Sequence, residues 1–182
     1  MNQFADRMIR AAKLEAEVYE EVEADQSAMG QALGVVVLSS LAAGLALVGT
    51  QGAAGLLMAT AGALIGWFVW ALLTYLIGAK LLPEAQTEAD LNQLLRTIGF
   101  SSAPGVIRII GIVPGLNAVV SLVAAVWMLV AMVVAVRQAL DYNSTWRAVG
   151  VCVIGWLVQV VLLALVMAMT GHTPPGAGAG GS

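Results

Sequence analysis

The sequence predicts an all-α integral membrane protein with five transmembrane helices, and two observations lead to that class. The chain of 182 residues is 60% hydrophobic and only 10% charged, whereas about a quarter of the residues in a soluble domain are charged. The charges are also segregated, because none occurs in 26–79, 109–136 or 148–182. Since a helix needs about 20 apolar residues to cross the hydrocarbon core, these three stretches indicate where the bilayer lies.

Residues 1–28 predict an amphipathic, acidic helix on the cytosolic side of the membrane. Their apolar residues recur at spacings of four and three, which gives one narrow stripe. Its members are Phe4, Met8, Ala11, Leu14, Val18 and Val22. This helix is either a docking face for a partner or for lipid headgroups, or a solvated helix folded against the protein's own cytosolic loops.

Residues 29–170 form the predicted membrane domain. Before its third span, Thr87 and Asp90 have the spacing of a capping box, and the leucines after them predict a brief interfacial helix in the headgroup plane. The segment 171–182 is rich in Gly and Pro and predicts a flexible tail outside the cell, which carries the single histidine, His172. The predicted spans lie at about 32–49, 57–79, 102–114, 118–136 and 148–170.

The third span is predicted to be short and broken by proline. In the stretch GFSSAPGVIRIIGIVPGLNAVV, Pro104 falls in the first turn of a new helix, where its missing amide donor costs nothing. Pro114 ends that helix and Gly115 permits a sharp turn. Asn117 then offers its side chain as the cap of the fourth helix. The resulting helix covers about 18 Å, well short of a hydrocarbon core of about 30 Å.

Arg108 is the charged residue that this short span carries into the membrane. It lies four residues beyond Pro104, which is about 6 Å by helical rise. It either reaches back to the interface or holds a lipid phosphate or a backbone carbonyl in a cytosol-facing pocket. The other candidates for a lipid or partner pocket are Arg96, on the polar side of the interfacial helix, and Trp146 and Arg147, before the last span.

The distribution of basic residues predicts the topology. With five spans and a cytoplasmic N-terminus, all 8 Lys and Arg residues fall on or near the cytosolic side, as the positive-inside rule requires. If the third region only dipped into the membrane and returned, Arg137 and Arg147 would move outside. The sequence therefore favours five spans, with the N-terminus inside and the C-terminus outside.

The order of these features resembles the bacterial branch of the Yip-domain family, the Ypt/Rab-interacting proteins, over residues 9–170. The motifs that carry the resemblance are the GFSSAP run at the third span, Trp127 in the fourth, and the basic residue and polar loop from Arg137 to Arg147. The family implies five spans with a cytosolic N-terminus, and the bacterial branch implies the plasma (inner) membrane. Its eukaryotic members act in vesicle traffic and associate with Rab-type GTPases. Their Asp-Leu-Tyr-Gly-Pro motif is replaced here by ADQSAMGQ, so GTPase binding is not predicted.

The chemical inventory argues against an enzyme. No acidic residue lies within a predicted span, the single cysteine Cys152 lies in the fifth helix, and no phosphate-binding loop or metal-ligand cluster occurs. We therefore expect no cofactor and no metal, and a net charge of −3 argues against nucleic acid. The sequence favours a non-catalytic scaffold or accessory subunit that binds membrane lipids and other membrane subunits or a second copy. The alternative is a small transporter, channel or lipid-moving protein.

Overall fold

The computed structural model of the protein describes residues 2–45, 48–113 and 115–170. Within those residues the regular structure is entirely helical, with no β-strand, which confirms the predicted all-α class. In chain order the elements are α1 (Gln3–Ala12), α2 (Ala16–Ala24), a 3₁₀ turn (Gln26–Ala28), α3 (Met29–Leu45), α4 (Val48–Thr74), a π-helical segment (Tyr75–Leu81), α5 (Leu91–Phe100), the short helix (Ala103–Ile112, of 3₁₀ type), α6 (Asn117–Ala139) and α7 (Thr145–Thr170).

The N-terminal segment forms two helices, so the prediction of a single amphipathic helix is wrong. Leu14, between α1 and α2, has a φ of 66°, a left-handed conformation that ends α1. Tyr19 of α2 donates its hydroxyl to the Ala11 carbonyl at 3.1 Å, and Arg7 of α1 contacts Glu21 of α2 at 2.8 Å. The early basic and later acidic residues pair only because the chain folds back on itself. We call this pair of helices the N-terminal hairpin.

The N-terminal hairpin packs against the helical bundle. Ala11, Val18 and Val22 of its apolar stripe are buried in one cluster with residues of α3, α5 and α6. The indole of Trp127, near the middle of α6, donates to the carbonyl of Ala12 at 2.7 Å. The apolar stripe therefore covers the protein's own helices, whereas the sequence interpretation of an intramolecular contact placed it against the cytosolic loops.

α5 lies inside the bundle, whereas the sequence predicted a helix in the headgroup plane. Residues 94–100 are all buried, and α5 packs against α2, α3, α4 and α6. The helix begins with a capping box formed by Asp90 and Gln93. Thr87, which was expected to take part in such a box, instead donates to the Leu140 carbonyl at 2.8 Å.

The chain from the end of α5 into the short helix lies along α3 in close contact. A Cβ atom at Gly99 would lie 2.7 Å from the Cβ of Ala32, and one at Gly105 would overlap the hydroxyl of Ser39. Gly99 is in α5 and Gly105 is in the short helix, so the chain follows α3 in the same direction as it passes from one helix to the other. The close approach depends on glycine, because any larger residue at these positions would force the segments apart.

The loop between α6 and α7 is tied to the end of the long rod that α4 and the π-helical segment form. The hydroxyl of Tyr142 lies 2.9 Å from the Gly78 carbonyl and 2.8 Å from the Leu82 carbonyl, so it can donate its one proton to either of them. A π-helix leaves carbonyls out of the ordinary α-helical pattern, and this hydroxyl supplies a donor where the rod ends.

Four helices of the described chain are long and apolar enough to cross a membrane, by length and composition: Gln26–Leu45, Gly52–Leu81, Asn117–Ala139 and Thr145–Leu162. They overlap four of the five predicted spans. The short helix coincides with the predicted third span but has only 10 residues, or about 20 Å at the rise of a 3₁₀ helix. The structure therefore describes a multi-pass membrane protein, and the segment that the sequence singled out as short is short.

Candidate functional site

A cavity of about 420 Å³ lies among α3, α4, α6, α7 and the short helix. We call it the central cavity. Most of its wall is apolar and comes from small residues of α3 and α4 and from two tryptophans and two methionines. Its polar side chains, apart from the indole groups, are Ser39, Ser40, Ser102, Arg108 and Gln159.

Several polar groups in this wall already have partners within the protein. Trp67 donates its indole N–H to the Leu95 carbonyl at 3.0 Å, and Trp70 donates to the sulfur of Met132 at 3.1 Å. The hydroxyl of Ser40 bonds a carbonyl of its own helix at 2.9 Å. These groups hold the wall in place, so the polar chemistry open to a ligand belongs to Arg108, Gln159 and the other serines.

Arg108 is the only charged side chain of the described cavity wall, and it is half-buried. No Asp or Glu occurs anywhere in 26–83 or 91–140, and no hydrogen bond or ion pair joins Arg108 to another residue that the structure describes. A guanidinium in the membrane interior costs at least about 3 kcal/mol when it lacks a polar partner. The site therefore has an unbalanced positive charge.

Arg108 lies well beyond the start of α3, farther than its distance from Pro104 indicated. Gly105 abuts Ser39, which is ten residues into α3, or about 15 Å from its start. Arg108 follows three residues later in the short helix, which adds about 6 Å. The sequence placed this arginine about 6 Å into the membrane because it measured from Pro104 and could not show how far along α3 the short helix begins.

Arg96 does not lie on a polar face as expected. Its side chain is buried, and its guanidinium donates to the Val22 carbonyl at 2.9 Å and to the Glu23 carbonyl. Arg96 thus caps the C-terminal end of α2, where free carbonyls carry partial negative charge. The sequence pattern gave one leucine face on α5 and left Arg96 outside it, but α2 covers that side of the helix.

Arg147 and Trp146 lie at the start of α7, away from the central cavity. Arg147 contacts Glu84 at 3.2 Å and stacks over the ring of Tyr142, with its guanidinium carbon 5.5 Å from the centroid. Trp146 is 83% exposed. Arg96, Arg108, Arg147 and Trp146 therefore do not share one pocket, and Arg108 alone of these four lines the central cavity.

The residues of the predicted break have different roles. Pro104 is buried in the first turn of the short helix, as expected, and Gly115 has a φ of 85°, which favours glycine. Asn117 does not cap α6, because it is the first helical residue and its side chain accepts from the Ser121 hydroxyl at 2.9 Å. Pro114 lies outside the described residues, as do 171–182 with His172.

Arg7 in the N-terminal hairpin is a buried charge with three polar partners. It is only 3% exposed and contacts Glu21 and Asp25 at 2.8 Å each and Gln31 of α3 at 3.1 Å. Hydrogen bonds from Ser27 and then from Arg7 lower the pKa of Asp25 to about 2. Arg7 therefore fastens both hairpin helices to α3.

A cluster of acidic groups surrounds Glu23 near the end of α2. Burial and, after it, the charge of Asp141 raise the pKa of Glu23 to about 7, although the charge of Arg96 acts in the opposite direction. Glu20 and Asp90 add smaller contributions that also raise it. The side chain of Glu23 therefore titrates near neutral pH.

The sequence pointed to Arg108, but it did not predict roles for Ser39, Gln159 and Arg7. Ser39 and Gln159 are polar residues within apolar spans, a signal that could have drawn attention to them. Arg7 carried no comparable signal, because its partners lie 14 to 24 positions away in the chain.

The fold and the cavity define a multi-pass helical membrane protein with a short helix that carries one unbalanced arginine into the cavity wall. A sequence model described as the Yip1 domain matches residues 15–167. The chain belongs to the Yip1 domain family, which confirms the resemblance noted in its sequence. No curated protein and no solved structure matches it.

Proposed function

We propose that this protein is a non-catalytic scaffold or accessory subunit of a larger assembly in the bacterial inner membrane, and that it binds lipid as part of this role. The observation that carries the proposal is the composition of the central cavity. Its described wall has hydroxyl, amide, indole and guanidinium groups and no carboxylate, imidazole or thiol. Such a wall binds a ligand but lacks the acid and base groups that catalysis ordinarily uses.

The charged residues elsewhere support a structural role. Arg7, Arg10, Arg96 and Arg147 are all engaged with carboxylates or carbonyls of the same chain. Meanwhile α6 and α7 expose large apolar side chains such as Leu122, at 66%, and Trp156, at 59%. A surface of this kind suits lipid or the apolar helices of another subunit or a second copy.

Purification in a mild detergent tests the scaffold proposal. The full chain, tagged at its N-terminus and expressed at its native level, is expected to co-purify with one or more membrane subunits in fixed stoichiometry. A homo-oligomer of fixed size, measured by light scattering with detergent correction, also agrees with the proposal. Recovery only as a monomer at native expression would contradict it.

The proposed topology has five spans, with the short helix as the third and the N-terminus in the cytoplasm. The positive-inside distribution supports it. In a Cys152→Ala background, a cysteine at Gly52 should react with a membrane-impermeant thiol reagent in intact cells. Cysteines at Ala85 or Asn143 should react only after permeabilisation. Labelling of Asn143 in intact cells would refute five spans.

A second candidate is a small transporter, channel or lipid-moving protein, and the position of the central cavity favours it. The cavity is bounded by several of the helices, and its wall on α4 combines Ala59, Ala63 and Gly66 with two tryptophans. In proteoliposomes, such a protein would accelerate the movement of a fluorescent phospholipid or a small anion across the bilayer. The scaffold proposal expects no acceleration over protein-free liposomes.

A further inference from the structure

The guanidinium of Arg108 calls for an anionic ligand from outside the chain. It is the one charge in the described wall of the central cavity, and residues 26–83 and 91–140 supply no carboxylate to balance it. The planar guanidinium donates paired hydrogen bonds to a phosphate or a carboxylate. Ser39 and Gln159 of the same wall can donate to further oxygens of such a group.

The remainder of the cavity requires that the ligand also be apolar. A volume of about 420 Å³ is far larger than a phosphate group, and the tryptophan and methionine side chains that enclose it offer few hydrogen bonds. Methionine adapts its shape to an irregular apolar ligand. A free anion would therefore leave most of the space unfilled, whereas an amphiphile with an anionic head matches both the charge and the walls.

The packing of α4 provides a route for such an amphiphile from the bilayer. In the apolar stretch of α4 and the π-helical segment, 6% of the residues are buried, compared with 39% in the span that contains α3. α4 contributes Ala59, Ala63 and Gly66 to the wall, and its two tryptophans are bonded to α5 and α6 farther along the helix. Ala59 is exposed and Ala63 half-buried, so the part of α4 before the tryptophans is the side of the cavity that can yield most easily to a lipid chain.

We propose that the central cavity binds one anionic phospholipid, with its phosphate on Arg108 and an acyl chain against the apolar walls. The proposal rests on the lipid-binding role proposed above and names its site and its ligand class. It excludes Arg96, Arg147 and Trp146 from the site, since the structure places them elsewhere. The phosphate chemistry is shared with soluble phosphates, so the test separates the two sources.

The test measures lipid bound to the full chain by native mass spectrometry in a mild detergent. Delipidated protein is titrated with phosphatidylglycerol and, separately, with phosphatidylcholine. Wild type should bind one phosphatidylglycerol with an affinity at least about tenfold higher than for phosphatidylcholine, because only the former adds net negative charge for the arginine. Arg108→Gln should weaken phosphatidylglycerol binding about tenfold or more.

Two further variants make the result specific. Lys80→Gln removes an exposed cation that stacks on Tyr75 outside the cavity and should bind phosphatidylglycerol like wild type. Ala63→Leu keeps Arg108 but fills part of the cavity from α4, so it should also lose the lipid. It provides an answer if Arg108→Gln does not fold, and size-exclusion profiles and helical circular dichroism identify folded variants.

Three results would overturn the proposal. They are unchanged phosphatidylglycerol affinity in both folded cavity variants, equal binding of the two lipids by wild type, and displacement of phosphatidylglycerol by millimolar inorganic phosphate. The last result would make the cavity a site for soluble anions. None of these results alters the expectation that the chain co-purifies with membrane subunits, so a failure of the lipid site is distinguishable from a failure of the scaffold proposal.

Discussion

Replacing Arg7 by methionine should release the N-terminal hairpin from the bundle. Arg7 is 3% exposed and makes three contacts of 2.8 to 3.1 Å, two of them to carboxylates. Loss of one partner from a fully buried ion pair costs about 3–5 kcal/mol. Here Glu21 and Asp25 are 37% and 28% exposed, so water partly replaces the arginine, and we expect a loss of about 2–3 kcal/mol.

Arg10→Met is the matched control, because the two arginines lie one turn apart on α1 and share Glu21. Arg10 is 28% exposed, and its partner carboxylates are 37% to 49% exposed. Ion pairs of this kind contribute about 0–1 kcal/mol. The Arg10 variant should therefore stay close to wild type.

Hydrogen exchange and thermal unfolding in detergent measure the difference between these two variants. In the Arg7 variant, the amides of α1 and α2 should exchange faster than those of α5, and the unfolding temperature should fall by several degrees. Equal effects of the two substitutions would refute the assignment of Arg7 as the fastening residue. Unchanged exchange in α1 in the Arg7 variant would refute it as well.

Substitutions at Glu23, at Gly105 and at the turn before α6 test three separate features. The pKa of Glu23 is raised to about 7 from 4.5, so folding stability should fall as pH rises from about 5 to 7 and the folded protein loses this proton. Glu23→Gln carries no charge at any pH, so it should raise the unfolding temperature at pH 8 but not at pH 5. At Gly105 a Cβ would lie 2.8 Å from a methionine sulfur, so Gly105→Ala should lower the free energy of chemical unfolding by about 1–3 kcal/mol. Gly62 has open space around it, so Gly62→Ala should leave this free energy unchanged. Gly115→Ala should lower the free energy of unfolding by about 1 kcal/mol, and Asn117→Ala should lower it by less, since the asparagine is not a cap. A larger loss for the Asn117 variant would contradict this assignment.

The sequence by itself determined the class of the protein and the position of its membrane helices. Charged side chains are too costly in hydrocarbon to occur there freely, so three uncharged stretches reveal the spans whatever the packing. The signal for the short third segment is also local in sequence, because Pro104 and Gly115 restrict or permit the conformation of their own backbone. Arg108 was conspicuous for the same reason, as a charge in an apolar segment.

The tertiary structure decided where each polar group of the interior finds its partner. Arg96 was a sequence candidate for a lipid or partner pocket, but it caps α2 from 73 and 74 residues away in the chain. Arg7 closes the N-terminal hairpin, and Ser39 meets the short helix only because Gly105 lets the backbones approach. These contacts join segments that are remote in sequence, and periodicity reports only which face of a helix is apolar. Which neighbour covers that face, and whether a cavity remains between them, depends on the packing of all the helices together.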